Sequence, residues 1–189
     1  MNKTLFTALG ASVILFCNGA QAVDVDLTAT ISQGTCSVEV SNGGIVNLPT
    51  VGASYFANGI TAETDYAGGS EFTVTLRACD IDNPQALSQL RLEFLPKEGV
   101  FAPGSKQIFP NEASAAAANV GIVIFSASNN NMFNVWSEAG VSRAIYPVTI
   151  DTLNHVSWPF YTRMQRINAL QPVGSGQVRT NVIVDAYYE

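Results

Sequence analysis

The chain has few of the side chains that carry out enzyme chemistry or bind metals. It contains a single histidine, His155, and three cysteines in 189 residues. A structural zinc site needs about four Cys or His ligands at close spacing, which this sequence does not offer. It also has no Gly-x-Ser-x-Gly segment and no second histidine to pair with the first. We therefore expect no catalytic residues, no metal site and no cofactor.

Basic residues and long apolar runs are also scarce. Nine Lys and Arg residues stand against fifteen Asp and Glu residues, for a net charge of −6. Such a balance argues against nucleic acid or an anionic membrane as a partner. After the run Leu5–Phe16, no apolar stretch is long enough to span a bilayer, so we expect no stable membrane insertion.

The first 22 residues have the pattern of a secretory signal peptide. Lys3 precedes the apolar run Leu5–Phe16, and Ala20-Gln21-Ala22 forms a small-x-small cleavage site. The sequence therefore predicts a signal peptide over residues 1–22 and an exported mature chain that starts at Val23.

Export determines how the remaining cysteines are interpreted. Cys36 and Cys79 follow the predicted cleavage site, in an oxidising compartment, and the default there is one disulfide. Closing a loop of about 44 residues stabilises the fold by roughly 4 kcal/mol if the gain comes from chain entropy.

Short β-branched and aromatic runs, separated by turn residues, predict an all-β domain. Clear examples are the alternating segment Phe72–Leu76 and the segments Leu90–Leu95, Gly121–Phe125 and Val156–Met164. There is no internal repeat and no linker long enough to divide the mature chain. We expect one β-sandwich or barrel.

The tail Gly176–Glu189 alternates between apolar and polar residues. Val182, Val184, Ala186 and Tyr188 fall on one face of a strand, because strand side chains alternate with period 2. An apolar edge strand is an aggregation hazard unless another strand covers it. Two interpretations are open: pairing with another chain by strand addition, or an ordinary C-terminal strand inside its own sheet.

Taken together, several segments resemble subunits of chaperone–usher pili, the type 1 and P pilus family. The resemblance extends over essentially the whole mature chain, and the combination of segments in this order is specific. The segments that carry it are Gly34-Thr35-Cys36-Ser37-Val38, Phe72–Cys79, Gly121–Phe125, Trp158–Met164, and the tail with Gly176 and Tyr188.

The resemblance implies an incomplete immunoglobulin-like sandwich that lacks its final strand, with an N-terminal donor-strand extension. It divides the chain into a signal peptide (1–22), the extension (23–34) and a pilin domain (35–189). In the free subunit we expect Val23–Ile31 to be disordered or detached, and to act in the groove of the next subunit. Its implied donor side chains are Val23, Val25, Leu27, Ala29 and Ile31, and the implied groove strand carries Gly176, Val182, Val184, Ala186, Tyr188 and Glu189.

The implied partners are a periplasmic pilus chaperone, an outer-membrane usher and neighbouring pilus subunits, on a route through the periplasm to the surface fimbrium. A basic chaperone pocket is expected to hold the terminal carboxylate of Glu189. Only thirteen residues, Val23–Thr35, precede Cys36, which favours a minor or adaptor subunit.

Two other functions compete with this interpretation. A carbohydrate-binding adhesin could use aromatic side chains such as Tyr55, Phe56 and Tyr66 to stack on a sugar. A secreted hydrolase would have to rely on His155 or on the carboxylates that follow Cys79, which are better explained as a solvated turn.

Overall fold

The computed structural model describes residues 23–31, 36–79, 81, 83–128 and 131–189. The predicted signal peptide, Gly34, Thr35, Asp80 and Asp82 lie outside the described residues. Within these ranges ten strands and one α-helix follow in the order β1 (Val23–Ile31), β2 (Ser37–Val40), β3 (Ile45–Leu48), β4 (Ser70–Arg77), β5 (Gln89–Pro96), β6 (Val120–Ser128), β7 (Asn131–Asn134), β8 (Ile145–Pro147), α1 (Ile150–His155), β9 (Ser157–Arg166) and β10 (Arg179–Tyr188).

The strands form two five-stranded sheets that enclose one main core. Sheet A has the order β3-β1-β10-β5-β8, and sheet B has the order β2-β4-β9-β6-β7. The predicted all-β sandwich is therefore confirmed.

Aromatic rings fill the centre of the sandwich. The ring centroids of Phe94 and Phe160 are 4.8 Å apart, and those of Phe72 and Phe160 are 5.5 Å apart. Phe94 comes from sheet A, and the other two rings come from sheet B. The Phe94–Phe160 contact joins the two sheets, and edge-to-face or offset pairs of this kind stabilise a core beyond their buried area.

Strand β6 is apolar on both faces because the outer face of sheet B is also covered. Ile122 and Ile124 belong to the main core, whereas Val123 and Phe125 belong to a second apolar cluster with Tyr161. A continuous apolar run is typical of a strand that is buried on both sides.

Arg163 of β9 lies fully buried beside this second cluster. One guanidinium nitrogen donates to the carbonyl oxygens of Thr61 and Thr64 at 2.7 and 2.6 Å. The other donates to Oε1 of Gln165 at 2.7 Å, and the guanidinium lies 5.1 Å from the centre of the Phe125 ring. Burial lowers the pKa of Arg163. The arginine thus holds the loop before β4 against sheet B.

Candidate functional site: a strand groove in sheet A

The groove is the strip of sheet A between β3 and β10, and β1 of the same chain occupies it. β1 runs parallel to β10, in register from Asp24 opposite Arg179 to Ile31 opposite Ala186. Its first half also pairs antiparallel with β3, from Val23 opposite Leu48. The groove therefore holds one extended segment between two strands.

The inward side of the groove is apolar. Val182, Val184 and Ala186 of β10 are fully buried and form its floor, as the alternation of the tail predicted. Val25 and Leu27 of β1 enter the same core cluster. The backbone of β1 also includes Val23, Ala29 and Ile31, whose side chains are not among the described ones.

The prediction that Val23–Ile31 is disordered or detached in the free subunit is wrong for this structure, because the segment pairs with β10 and β3 in its own sheet. Burying each aliphatic side chain contributes roughly 1.5–3 kcal/mol, and each main-chain hydrogen bond adds about 0.5–1.5 kcal/mol. These gains oppose the entropy lost when the segment becomes ordered. The sequence alone showed a strand with one apolar face but not whose groove it fills.

Gly44 allows β1 to come close to the turn before β3. The residue has φ +83°, and an added Cβ atom would lie 2.3 Å from the carbonyl oxygen of Leu27. A side chain there would have to push the main chain of β1 away. The sequence analysis did not single out this position; the Gly43-Gly44 doublet directly before an apolar run was the available signal.

The outward side of the groove is charged at the end where β1 begins. Nε of Arg179 donates to Oδ2 of Asp26 at 3.0 Å, and its Nη2 donates to the same oxygen. The hydrogen bond to Asp26 is the main cause that raises the pKa of the guanidinium, and the charges of Asp24 and Glu112 add to it. Arg179 was not among the sequence-based candidates.

At the other end of the groove the charge has the opposite sign. Asp185 of β10 is paired with Thr30 of β1 on one side and with Glu93 of β5 on the other. Oδ1 of Asp185 is buried, and it has no hydrogen-bond partner among the described residues. Burial raises the pKa of this carboxyl group.

The remaining predicted tail residues lie at the two ends of β10. Gly176 packs so closely on the segment Ala115–Ala117 that a Cβ atom would lie 2.5 Å from the nitrogen of Ala117. Tyr188 is partly buried against the main core. The main-chain oxygen of Glu189 accepts hydrogen bonds from the backbone nitrogens of Ser88 and Gln89 at 2.6 and 2.9 Å.

Cys36 and Cys79 form the predicted disulfide. The bond links the residue before β2 to the end of β4, and these strands are neighbours in sheet B. It therefore anchors the chain directly after the connection that follows β1.

The groups proposed for the competing functions have structural roles. His155 is the last residue of α1, and its Nδ1 lies 2.8 Å from the carbonyl oxygen of Asp151. Phe56 is part of the main core, Tyr55 packs against that core, and the Tyr55 and Tyr66 rings contact each other. These aromatic side chains are used in packing rather than presented as a platform for a sugar.

One cleft of about 700 Å³ opens beside the loops around Thr61, Ser105 and Ile167, and its lining contains no aromatic ring. Over the described ranges, no three His, Cys, Asp or Glu side chains are grouped so as to hold a metal ion. None of the helices in that part of the chain has the length and apolar character needed to cross a membrane.

The fold and the groove define a class of protein: a two-sheet β-sandwich in which the alternating segment β1, distant in sequence, supplies the strand beside β10. The particular family follows from comparison with known sequences. The profile of the Fimbrial family, described as fimbrial protein, matches residues 25–189. The uncharacterized fimbrial-like protein YadK of Escherichia coli K12 is 44% identical over 181 residues, which cover 93% of this chain and 91% of that protein. The chain belongs to the fimbrial protein family.

Comparison with solved structures returns the CupB6 tip adhesin of Pseudomonas aeruginosa. It is 14% identical, with a TM-score of 0.38, over 63% of this chain. The match spans only 34% of the adhesin, so this chain corresponds to about a third of that protein's length.

Proposed function

We propose that the protein is a structural subunit of a bacterial surface pilus that assembles by donor-strand exchange. In this proposal β1 of one subunit fills the groove of a neighbour, and a strand of another subunit fills its own. A periplasmic chaperone holds the groove before assembly, and an outer-membrane usher receives the subunit. The protein acts as a building element rather than as an enzyme, and its contribution to adhesion comes through the filament.

The observation that carries the proposal is the occupied groove. A strand with the alternation of β1 fits between β3 and β10, with Val25 and Leu27 in the core and main-chain pairing on both sides. The groove accepts an extended segment that is held mostly by main-chain hydrogen bonds. Recognition of that kind is typical of strand addition, in which the added strand can come from another chain.

The self-filled groove also gives a physical reason for a chaperone. A segment joined to the groove by a short connection has an effective concentration on the order of millimolar. A donor strand from another subunit must compete with that local strand. A chaperone strand that pairs with β10 during folding would keep β1 out until the neighbour arrives. We place its contact along Val182, Val184, Ala186 and Tyr188, with the terminal carboxylate of Glu189 in a basic pocket.

The proposal is tested by a pair of matched variants in β1. Leu27→Asp puts a charge on the face that enters the core, whereas Thr28→Asp puts the same charge on the exposed face. Burying an unpaired charge is far more costly than exposing one. Each variant is produced in the native cells, filaments are released from the surface, and the amount of this subunit in them is measured by quantitative mass spectrometry. Co-purification with the chaperone is measured in parallel.

We expect Leu27→Asp to bind the chaperone and to be absent from the filaments, and Thr28→Asp to be incorporated. Incorporation of Leu27→Asp at the wild-type level would contradict donor-strand exchange through β1.

For the tail, we expect Tyr188→Ala to reduce chaperone co-purification, because it removes an apolar anchor from β10. A minor or adaptor position in the filament remains a prediction from the short segment before Cys36.

A further inference from the structure

The rim of the groove has a charge polarity that its apolar floor does not require. Arg179 stands at the end where β1 begins, and Asp185 stands six residues further along β10, opposite Glu93 of β5. Both side chains lie on the outward face, since the buried residues Val182, Val184 and Ala186 alternate with the other face. A strand in the groove therefore passes the cation Arg179 first and the carboxylate of Asp185 later, whereas Glu93 is paired with Arg91 of β5 at 3.2 Å.

The strand that now occupies the groove matches this polarity. Its Asp26 accepts both hydrogen bonds from Arg179, and Asp24 is paired with the same arginine in the strand register. Next to Asp185 it has Thr30, an uncharged residue. A carboxylate at position 30 would lie directly opposite Asp185 in the strand register, and like charges directly opposite each other destabilise a sheet.

We propose that this rim selects the strand that enters the groove: Arg179 favours an outward carboxylate beside it, and Asp185 disfavours one at the far end. The accepted partner is then an alternating apolar strand that enters parallel to β10 in the register of β1, with an acidic residue at the position of Asp26 and a neutral or basic residue at the position of Thr30. This inference rests on the proposed function of the groove. The apolar face supplies most of the affinity, and the rim supplies choice among strands of similar apolar pattern.

The first test uses labelled nine-residue peptides and the full chain. The parent peptide has the sequence of residues 23–31, and the variants carry Asp26→Lys, Thr30→Asp, Thr30→Lys or Leu27→Asp. Binding is followed by fluorescence anisotropy at low salt. We expect Asp26→Lys and Thr30→Asp each to weaken binding on the order of threefold, as for exposed ion pairs, and the differences to shrink in high salt. Thr30→Lys should bind at least as well as the parent.

Charge reversal in the protein sharpens this test. The variant Arg179→Glu should prefer the Asp26→Lys peptide over the parent peptide. Equal binding of all charge variants, with Leu27→Asp still excluded, would overturn the selection by the rim and leave the groove function intact.

Failure of every peptide to displace β1 would count against strand exchange itself. A second measurement tests the rim without any peptide. Hydrogen exchange of the β1 amides is compared in the full chain for Asp26→Lys, Arg179→Glu and the double variant. We expect each single variant to lower protection by roughly threefold and the double variant to restore most of it. Protection that is the same in all three variants would overturn the role of Arg179.

Discussion

The loop that covers sheet B and strand β1 of sheet A are held in place in different ways. On sheet B the loop before β4 is held by hydrogen bonds to Arg163 and Tyr161, which are themselves buried. On sheet A, β1 is held by main-chain pairing, by Val25 and Leu27 on its inner face, and by a surface ion pair to Arg179. A buried polar group is costly to uncover, whereas an exposed strand and ion pair separate at lower cost. We call the loop-covered face of sheet B the fixed face, and the part of sheet A that holds β1, where we propose strand exchange, the exchangeable face.

The largest effect should come from the fixed face. Arg163→Met removes the charged donors to the carbonyl oxygens of Thr61 and Thr64 and to Oε1 of the buried Gln165. Hydrogen bonds from a charged group contribute about 1.5–3 kcal/mol each, so we expect a loss of about 3 kcal/mol in the free energy of unfolding. Chemical denaturation measures it. Arg166→Met, at a half-buried position on the same strand, is the control and should change stability by less than about 0.5 kcal/mol. Equal losses of stability in the two variants would contradict a specific role of Arg163.

A smaller effect on the same face is expected for Tyr161→Phe. The hydroxyl group accepts a hydrogen bond from the nitrogen of Gly69 at 2.7 Å and donates one to the carbonyl oxygen of Tyr66 at 2.8 Å. We expect a loss of about 1–2 kcal/mol. Hydrogen exchange should show faster exchange at the Gly69 amide and unchanged protection in β1. A loss of protection confined to β1 would contradict the separation of the two faces.

Variants of two neighbouring glycines test the exchangeable face. Gly44→Ala introduces a Cβ atom against the carbonyl oxygen of Leu27, whereas Gly43→Ala also has φ above zero but meets no atom within 4 Å. Both variants carry backbone strain, so their difference isolates the contact with β1. We expect protection of the β1 amides to fall about tenfold more in Gly44→Ala, with sheet B unchanged. Similar protection of β1 in the two variants would mean that the approach at Gly44 does not hold the strand.

The smallest effect concerns Asp185. Burial raises the pKa of its carboxyl group above the ordinary value of 3.8 in the folded state. The folded protein therefore binds the proton more tightly than the unfolded chain, and its stability falls as pH rises through the folded pKa. We expect Asp185→Asn to stabilise the protein at pH 7 by less than about 1 kcal/mol after allowance for solvent screening. The gain should disappear below about pH 4, where the carboxyl group is protonated in both states. Thermal melts of the two proteins at pH 7 and below pH 4 measure the gain. A gain in stability that grows on acidification would contradict the prediction.

Local patterns predicted much of this structure. The alternation in Phe72–Leu76 and in the tail predicted β4, β10 and their buried faces, because sheet burial follows period 2. Isolation of two cysteines in a chain that we expect to be exported predicted the disulfide. The resemblance to pilus subunits anticipated the sandwich.

Long-range contacts were not predictable in the same way. An arginine in an alternating strand looks solvent-facing, and only the folded loop brings the carbonyl oxygens of Thr61 and Thr64 to Arg163. The partner of β1 depends on a register between residues about 155 positions apart, which no local pattern encodes. Helix α1 was not predicted either. Its capping box pairs Thr149 with Thr152, whereas the usual sequence signature has Glu or Gln at the position of Thr152.

A disulfide lock tests the central claim, that β1 must leave its own groove for the protein to assemble. Thr28 and Ile183 are paired across β1 and β10 in register. Strand neighbours of this kind are close enough for a disulfide. The double variant Thr28→Cys/Ile183→Cys, oxidised in the folded monomer, is compared with the two single variants after alkylation, and incorporation into purified filaments is measured. We predict that the locked protein stays monomeric while both single variants are incorporated. Filaments that contain the locked protein at the level of the single variants would contradict the account.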